Sequence, residues 1–355
     1  MRVNIRISAS VLVALASLLA LTACDPPMPP EVAAALAEQT MACESGTANV
    51  GFATSMTSDL TSGWADNLTY SDCANIMSLV PSNSFTNQGA IVSDYQPTAT
   101  DCEVSAQVPF AVDAGVLLYQ LTDLSTFSIS KKSAQGILTG TITNWNDPAL
   151  AKDNGGIALP DLPIKLRATA DGNALSSFSG WVFGTGNYPA LKVSKVVETD
   201  SAKFAPLAEG EIAIAPNSFA VALGLYPASV LVGSDPNNSA DLANPDAAGI
   251  LSAGTQWVAS TVGKNVSVKL DPNLAPTPPD GVDIVAAPYQ AIYPVNFYIC
   301  QDTKLNRAIG RYLLRLDSQG SLGASNYTQL SEPVRDTALL TISAGLPSPS
   351  PLPTN

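Results

Sequence analysis

Apolar residues along this chain switch between two spacings. Short β-rich runs at residues 47–53, 76–80, 90–92, 164–167, 211–215 and 267–270 predict strands, several of them bounded by Gly, Pro or Asn. Between them, helical spacing predicts helices over residues 57–68, 133–138, 174–183 and 249–262. This alternation predicts an α/β fold with mainly parallel sheets. The run over residues 108–121 is long and β-rich, as expected of a strand that crosses from one lobe to another. Asn144-Trp145-Asn146-Asp147-Pro148 predicts a turn, residues 234–249 a surface excursion, and residues 272–279 a Pro-rich loop. Near the end, Leu305, Ile309, Tyr312, Leu313 and Leu316 recur at helical spacing. Lys304, Arg307, Arg311 and Arg315 fall on the other side, which predicts a helix with a solvated basic face.

The two ends depart from this pattern. Arg2 and Arg6 precede an apolar stretch that closes on Leu21-Thr22-Ala23-Cys24. A positive start, a short apolar middle and a small-residue end form a secretory signal, here residues 1–23. A Cys closing a Leu-Thr-Ala run is a bacterial lipobox, which predicts a diacylglyceryl group on Cys24. Two acyl chains suffice for stable anchoring, where one does not. The expected location is the cell surface, at the outer face of the cytoplasmic membrane. Residues 24–42 begin Asp25-Pro26-Pro27-Met28-Pro29-Pro30 and predict a stiff tether. Residues 346–355 repeat Ser, Pro and Leu without charge and predict a disordered tail.

Composition narrows the function. The formal net charge of −13 and pI near 4.3 argue against nucleic acid as a partner, since a phosphate backbone calls for a basic face. Acidity leaves an anionic ligand open, because backbone N–H groups and hydroxyls hold anions without net positive charge. The sequence contains no histidine, which removes the usual general base, metal ligand and Ser-His or Cys-His pairs. Ser128-Ile129-Ser130-Lys131 matches Ser-x-x-Lys, but its companion motifs Lys-Thr-Gly and Ser-Asp-Asn are missing. Gly184-Thr185-Gly186 is followed by Tyr188-Pro189 where a dinucleotide fingerprint needs a helix, so it predicts a loop. No enzyme and no cofactor is predicted. Besides Cys24 there are Cys43, Cys73, Cys102 and Cys300, an even set for an oxidising compartment, with three connectivities open.

Several segments resemble the phosphate-binding proteins of bacterial ABC importers. The segment GTITNWNDPALAKDNGGIALPDLPI, residues 140–164, follows that family's Thr-Asn-Trp-Asn-Asp-Pro turn and its Leu-Pro-x-x-Pro-Ile entry into a strand. Gln107-Val108-Pro109, Ala291-Ile292-Tyr293-Pro294-Val295 and the closing SQGSLGASNYTQLSEPVR agree in order. The resemblance implies a type II periplasmic-binding-protein fold over residues 43–345. Its two lobes would be residues 43–106 with 287–345, and residues 107–286, joined by crossing hinge strands around a ligand cleft. It implies a strand at residues 293–300 antiparallel to 108–121, which would bring Cys102 to Cys300 and leave Cys43 for Cys73.

The implied ligand set is only partly kept. GAIVSDYQPT, from Gly89, resembles a segment whose Asp accepts a proton from phosphate, which points to Asp94. Ser82 and Ser84 fall in the family's Ser-rich loop, and Thr54 and Ser55 near the first helix start. The family's Arg-x-Asp-x-Ser-Gly-Thr loop is altered to RATADGNALSSF, offering Arg167, Asp171, Gly172 and Asn173 without a complete cradle. The resemblance implies a monomeric solute-binding lipoprotein that captures phosphate or another small oxyanion for an ABC permease. The altered loop also fits a surface interaction or sensor protein that keeps the fold without the anion.

Overall fold

The computed structural model describes residues 43–53, 58–71, 73–169, 173–196, 206–277 and 286–346. The signal segment, Cys24, the tether and nearly all of the tail lie outside the described residues. Among the described residues no helix is long and apolar enough to cross a membrane.

Ten strands form one mixed sheet. Strands β1 (Gly46–Phe52), β2 (Met77–Ser82) and β3 (Ala90–Ser93) pair in parallel, with helix α1 (Ser58–Thr69) between the first two. Strand β4 (Ala106–Tyr119) follows, then β5 (Ser128–Ser130), α2 (Lys131–Thr139) and α3 (Pro148–Asp153). Next come β6 (Lys165–Thr169), α4 (Asn173–Phe183), β7 (Ser194–Val196), β8 (Glu211–Pro216) and α5 (Asn217–Ala222). The small sheet β5, β9 (Ser229–Leu231) and β10 (Leu242–Ala243) stands apart. After α6 (Ala247–Gly254) come β11 (Trp257–Val262), β12 (Asn265–Leu270) and β13 (Ile292–Ile299). Helices α7 (Lys304–Leu313), α8 (Leu316–Ser321) and α9 (Glu332–Ser343) close the chain. The main order is β2-β1-β3-β13-β4-β8-β6-β7, with the β11–β12 hairpin joined to β4. This is the α/β fold with crossing strands that the sequence predicts.

Strand β4 is shared by both halves of the sheet. Residues 106–114 pair antiparallel with β13, and residues 115–119 pair antiparallel with β8. All of β4 but Gln107 is buried, which accounts for its nearly unbroken apolar run. The register with β13 shifts opposite Phe110: Asn296 faces Pro109 and Val295 faces Ala111. Such a bulge bends a strand and sharpens its twist. The Phe110 carbonyl instead accepts from Gln319 Nε2 at 2.8 Å, and its ring meets Trp64 edge-on at 4.9 Å.

Disulfides join Cys43 to Cys73 and Cys102 to Cys300. The second joins the start of β4 to the end of β13. The Asn-Trp-Asn-Asp-Pro turn is built into the scaffold. Trp145 is fully buried and donates from Nε1 to Gly210 O at 3.0 Å, while Asn144 Oδ1 accepts from Leu162 N at 3.1 Å. Asp147 caps α3.

Two expectations need correction. The predicted helix over residues 249–262 is α6 followed by β11. Residues 257–262 pair with β12 through a tight turn at Gly263-Lys264, where Gly263 has φ +62°, so tertiary pairing overrides local spacing. The basic face of the last long helix is not solvated. Arg307, Arg311 and Arg315 are buried, and the C-terminal segment meets the first of them. Arg307 bonds Asp302 and donates to Ala344 O at 2.9 Å, and Arg315 pairs with Asp317. That helix also breaks after Leu313, and Leu316 begins α8.

Candidate functional site

The parallel strands of the two halves point at each other. Ser93 ends β3 opposite Asn296, which lies opposite Pro109; Pro216 ends β8 opposite Gly115. These two levels are roughly 20 Å apart along β4 at about 3.3 Å per residue. In open α/β sheets, ligands bind beyond the C-terminal ends of strands where the order reverses. The floor between the two sets of ends consists of residues 110–114 of β4 and 292–295 of β13.

Two acidic residues and two tyrosines lie in and beside that floor. Asp113 and Tyr293 are cross-strand partners. The Asp113 carboxylate accepts from Ala114 N at 2.7 Å, Ser218 N at 3.2 Å and Ser218 Oγ at 2.6 Å. Burial nonetheless raises its pKa to about 7, outweighing these bonds, and the charge of Asp94 pushes the same way. Burial likewise raises the Tyr293 hydroxyl well above its usual range, with Asp113 and Asp94 adding to the effect. Tyr293 lies close to Asp113, yet its hydroxyl makes no hydrogen bond of good geometry. The hydroxyl of Tyr298 is raised to about 12, by burial first and also by the charge of Asp94. At the ends of β6 and β8, Thr169 Oγ1 and Asn217 Oδ1 are buried without a hydrogen-bond partner.

Of the residues predicted from sequence, the structure brings Asp94 and Asn173 together. The Asn173 amide donates to the Asp94 carbonyl, tying the start of α4 to the end of β3. Helix α4 also rests on the crossing strands, where Ser177 Oγ donates to Ile292 O at 3.0 Å. A Cβ on Gly115 would stand 2.0 Å from Ala174 O, so only glycine allows this approach. Ser82 and Ser84 lie at and just past the end of β2 and bond their own turn, Ser82 Oγ accepting from Ser84 N and Ser84 Oγ from Thr86 N, both at 3.2 Å. Arg167 pairs with Glu211 at 3.0 Å. Burial opposes ionisation of Glu211, but Ala208 N and the Arg167 guanidinium outweigh it and lower its pKa. Thr54, Ser55, Asp171 and Gly172 lie outside the described residues.

Asp113 lies outside the matching segments, and Tyr293 falls within the matching segment at residues 291–295 without being read as a site residue. One signal for Asp113 was nevertheless present: it is the single charge in the apolar run of β4, and a buried Asp needs partners.

A family model described as a PBP superfamily domain matches residues 89–306, more than half of the chain and the stretch that carries this floor. The chain belongs to the PBP superfamily. Among curated relatives, it is 26% identical over 236 residues to phosphate-binding protein PstS 3 of Mycobacterium leprae, covering 61% of this chain and 60% of that protein. It is 24% identical over 234 residues to phosphate-binding protein PstS 2 of Mycobacterium tuberculosis, with the same coverage. The chain thus spans about 60% of the length of the curated relatives it matches. Solved structures share the fold. One is the ancestral soluble variant of the human phosphate-binding protein, with TM-score 0.52 and 15% identity, covering 84% of this chain and 93% of that one. Another is the high-affinity periplasmic phosphate-binding protein PfluDING bound with phosphate, with TM-score 0.51 and 15% identity, covering 82% and 92%. Within the PBP superfamily this chain is a divergent relative of phosphate-binding proteins.

Proposed function

We propose that this protein captures a small oxyanion, with phosphate as the first candidate, in the cleft over β4 and β13 and presents it to an ABC permease. The observation that carries this reading is the convergence of the β3 and β8 ends over a floor flanked by Asp94, with Asn173 meeting Asp94 from the other side. An ionised carboxylate only accepts hydrogen bonds, so Asp94 favours an anion that carries a proton and disfavours sulfate. The curated relatives and the solved structures named above are phosphate-binding proteins by name, which supports the same ligand class. The lobes divide as residues 43–106 with 287–345, and 107–286. They close about β4 and β13, a hinge motion that distinguishes loaded from empty protein. Cys24 carries the lipid that holds the monomer at the outer face of the cytoplasmic membrane, on the tether of residues 24–42.

Calorimetric titration with phosphate tests this, after unfolding and refolding to strip carried-over solute. Saturable binding at micromolar Kd or tighter, about −8 kcal/mol, is expected, and Asp94→Ala abolishes it. A folded protein that gives no heat with any oxyanion would exclude this function. Anchoring has its own test: Cys24→Ala releases the protein from the cell into the medium.

A further inference from the structure

The reading of the cleft as an oxyanion site uses one carboxylate, Asp94, and the floor holds another. A carboxylate has about four acceptor positions. In Asp113 three are filled from its own half of the cleft, by Ala114 N and by the N–H and hydroxyl of Ser218. Tyr293 is the cross-strand partner of Asp113, and its buried hydroxyl lies close to this carboxylate without a hydrogen bond of good geometry. Among the described residues the titratable groups facing this pair are Asp94 at the end of β3 and Tyr327 beside Tyr293, and no basic side chain offsets them. A doubly charged anion brought onto two ionised carboxylates would be repelled by both, whereas one proton placed in the second contact turns that repulsion into a hydrogen bond.

We infer that Asp113 and Tyr293 form a second reading point for the ligand, at which one proton is shared between the Asp113 carboxyl group and an oxygen of the bound oxyanion. The Tyr293 hydroxyl donates to a neighbouring oxygen of the same ligand. The preferred ligand class is then a tetrahedral oxyanion able to hold two protons, one facing Asp94 and one facing Asp113. Dihydrogen phosphate meets this, and sulfate fails at both points. The burial that raises the Asp113 pKa keeps its proton available near neutrality.

This inference rests on the oxyanion reading, and one experiment separates the two. The protein is titrated with phosphate by calorimetry near pH 8, in two buffers of unequal ionisation heat, which counts the protons taken up on binding. At that pH free phosphate is mainly doubly charged and brings one proton, enough for Asp94 alone. A shared proton at Asp113 requires uptake of about one more, and affinity then falls about tenfold per pH unit on the alkaline side. Asp113→Asn supplies an N–H without a proton from solvent, so its uptake drops to near zero and its alkaline slope flattens. Tyr293→Phe keeps the carboxyl and the uptake but binds several-fold more weakly. The wild-type proton count decides alone if the Asn variant does not fold. Phosphate binding without uptake at pH 8, or with equal uptake in Asp113→Asn, overturns the second reading point and leaves oxyanion capture standing. No phosphate binding at any pH removes the capture reading and this inference with it.

Discussion

The hydroxyl of Ser218 donates to the Asp113 carboxylate at 2.6 Å, fixing the first turn of α5 to the strand shared by both halves of the sheet. The bond joins two buried residues. It orients a buried acid and at the same time holds the end of β8 against β4.

Asp113 makes stability depend on pH in a specific sense. Its folded pKa is about 7 against an ordinary value of 3.8, so the folded protein holds a proton that the unfolded chain has lost over that interval. The contribution is fully present below about pH 4, falls as pH rises to 7, and is level above it. At about 1.4 kcal/mol per unit the loss amounts to a few kcal/mol. Asp113→Asn should therefore raise the thermal midpoint at pH 8 by roughly 5 °C and change it little at pH 4. Thermal unfolding of both proteins at the two pH values checks this, and an equal shift at both would show that the carboxyl charge is not the cause.

Gly115→Ala should loosen α4 from the crossing strands. The new Cβ would meet Ala174 O at 2.0 Å, a backbone atom that cannot swing away. Overpacking of this kind costs about 1–3 kcal/mol, read as a lower midpoint in denaturant. Because Asn173 begins the same helix, ligand affinity should fall by about tenfold, which corresponds to about 1.4 kcal/mol.

Much of the frame was legible from the amino-acid pattern. The apolar run around β4, the Cys positions and the Asn-Trp-Asn-Asp-Pro turn all carry local or strongly constrained signals. Periodicity fails where a third element decides the outcome. The run at residues 257–262 becomes a strand only because β12 lies beside it, and Arg307 is buried only because the chain returns through Ala344. In the cleft, Asp94 could be found by motif, whereas Asp113 could be found only by asking why a charge interrupts a buried strand.

The burial of the arginines gives a direct contrast on one helix. The Asp302 carboxyl is held far below its usual range by hydrogen bonds from Arg307 and then Lys264. Arg307→Ala should cost about 2 kcal/mol, since it removes bonds between charged groups and leaves Ala344 O unmet. Lys304→Ala, on the exposed first turn of the same helix, should change stability by less than about 0.5 kcal/mol. Equilibrium urea unfolding of both variants measures the difference, and similar values would return the arginines to a solvated face.

The two disulfides should differ in worth. Cys102–Cys300 links positions 198 residues apart, and Cys43–Cys73 positions 30 apart. Loop entropy grows slowly with length, so losing the first should cost about 1.7 kcal/mol more than losing the second, on a scale of a few kcal/mol for each. The pairs Cys102→Ser with Cys300→Ser, and Cys43→Ser with Cys73→Ser, compared by thermal unfolding, test the order.

The longer of these bridges also gives the polypeptide an unusual bookkeeping of its own ends. The Cα atoms of Cys102 and Cys300 are 5.1 Å apart, so everything between them leaves and returns at one covalent point. A protease that nicks the backbone anywhere in that excursion cannot release a piece: the cut protein runs as one species on a non-reducing gel and as two after reduction. The same closure ties the start of β4 to the end of β13, so the two strands stay joined side by side even when the backbone between them is cut.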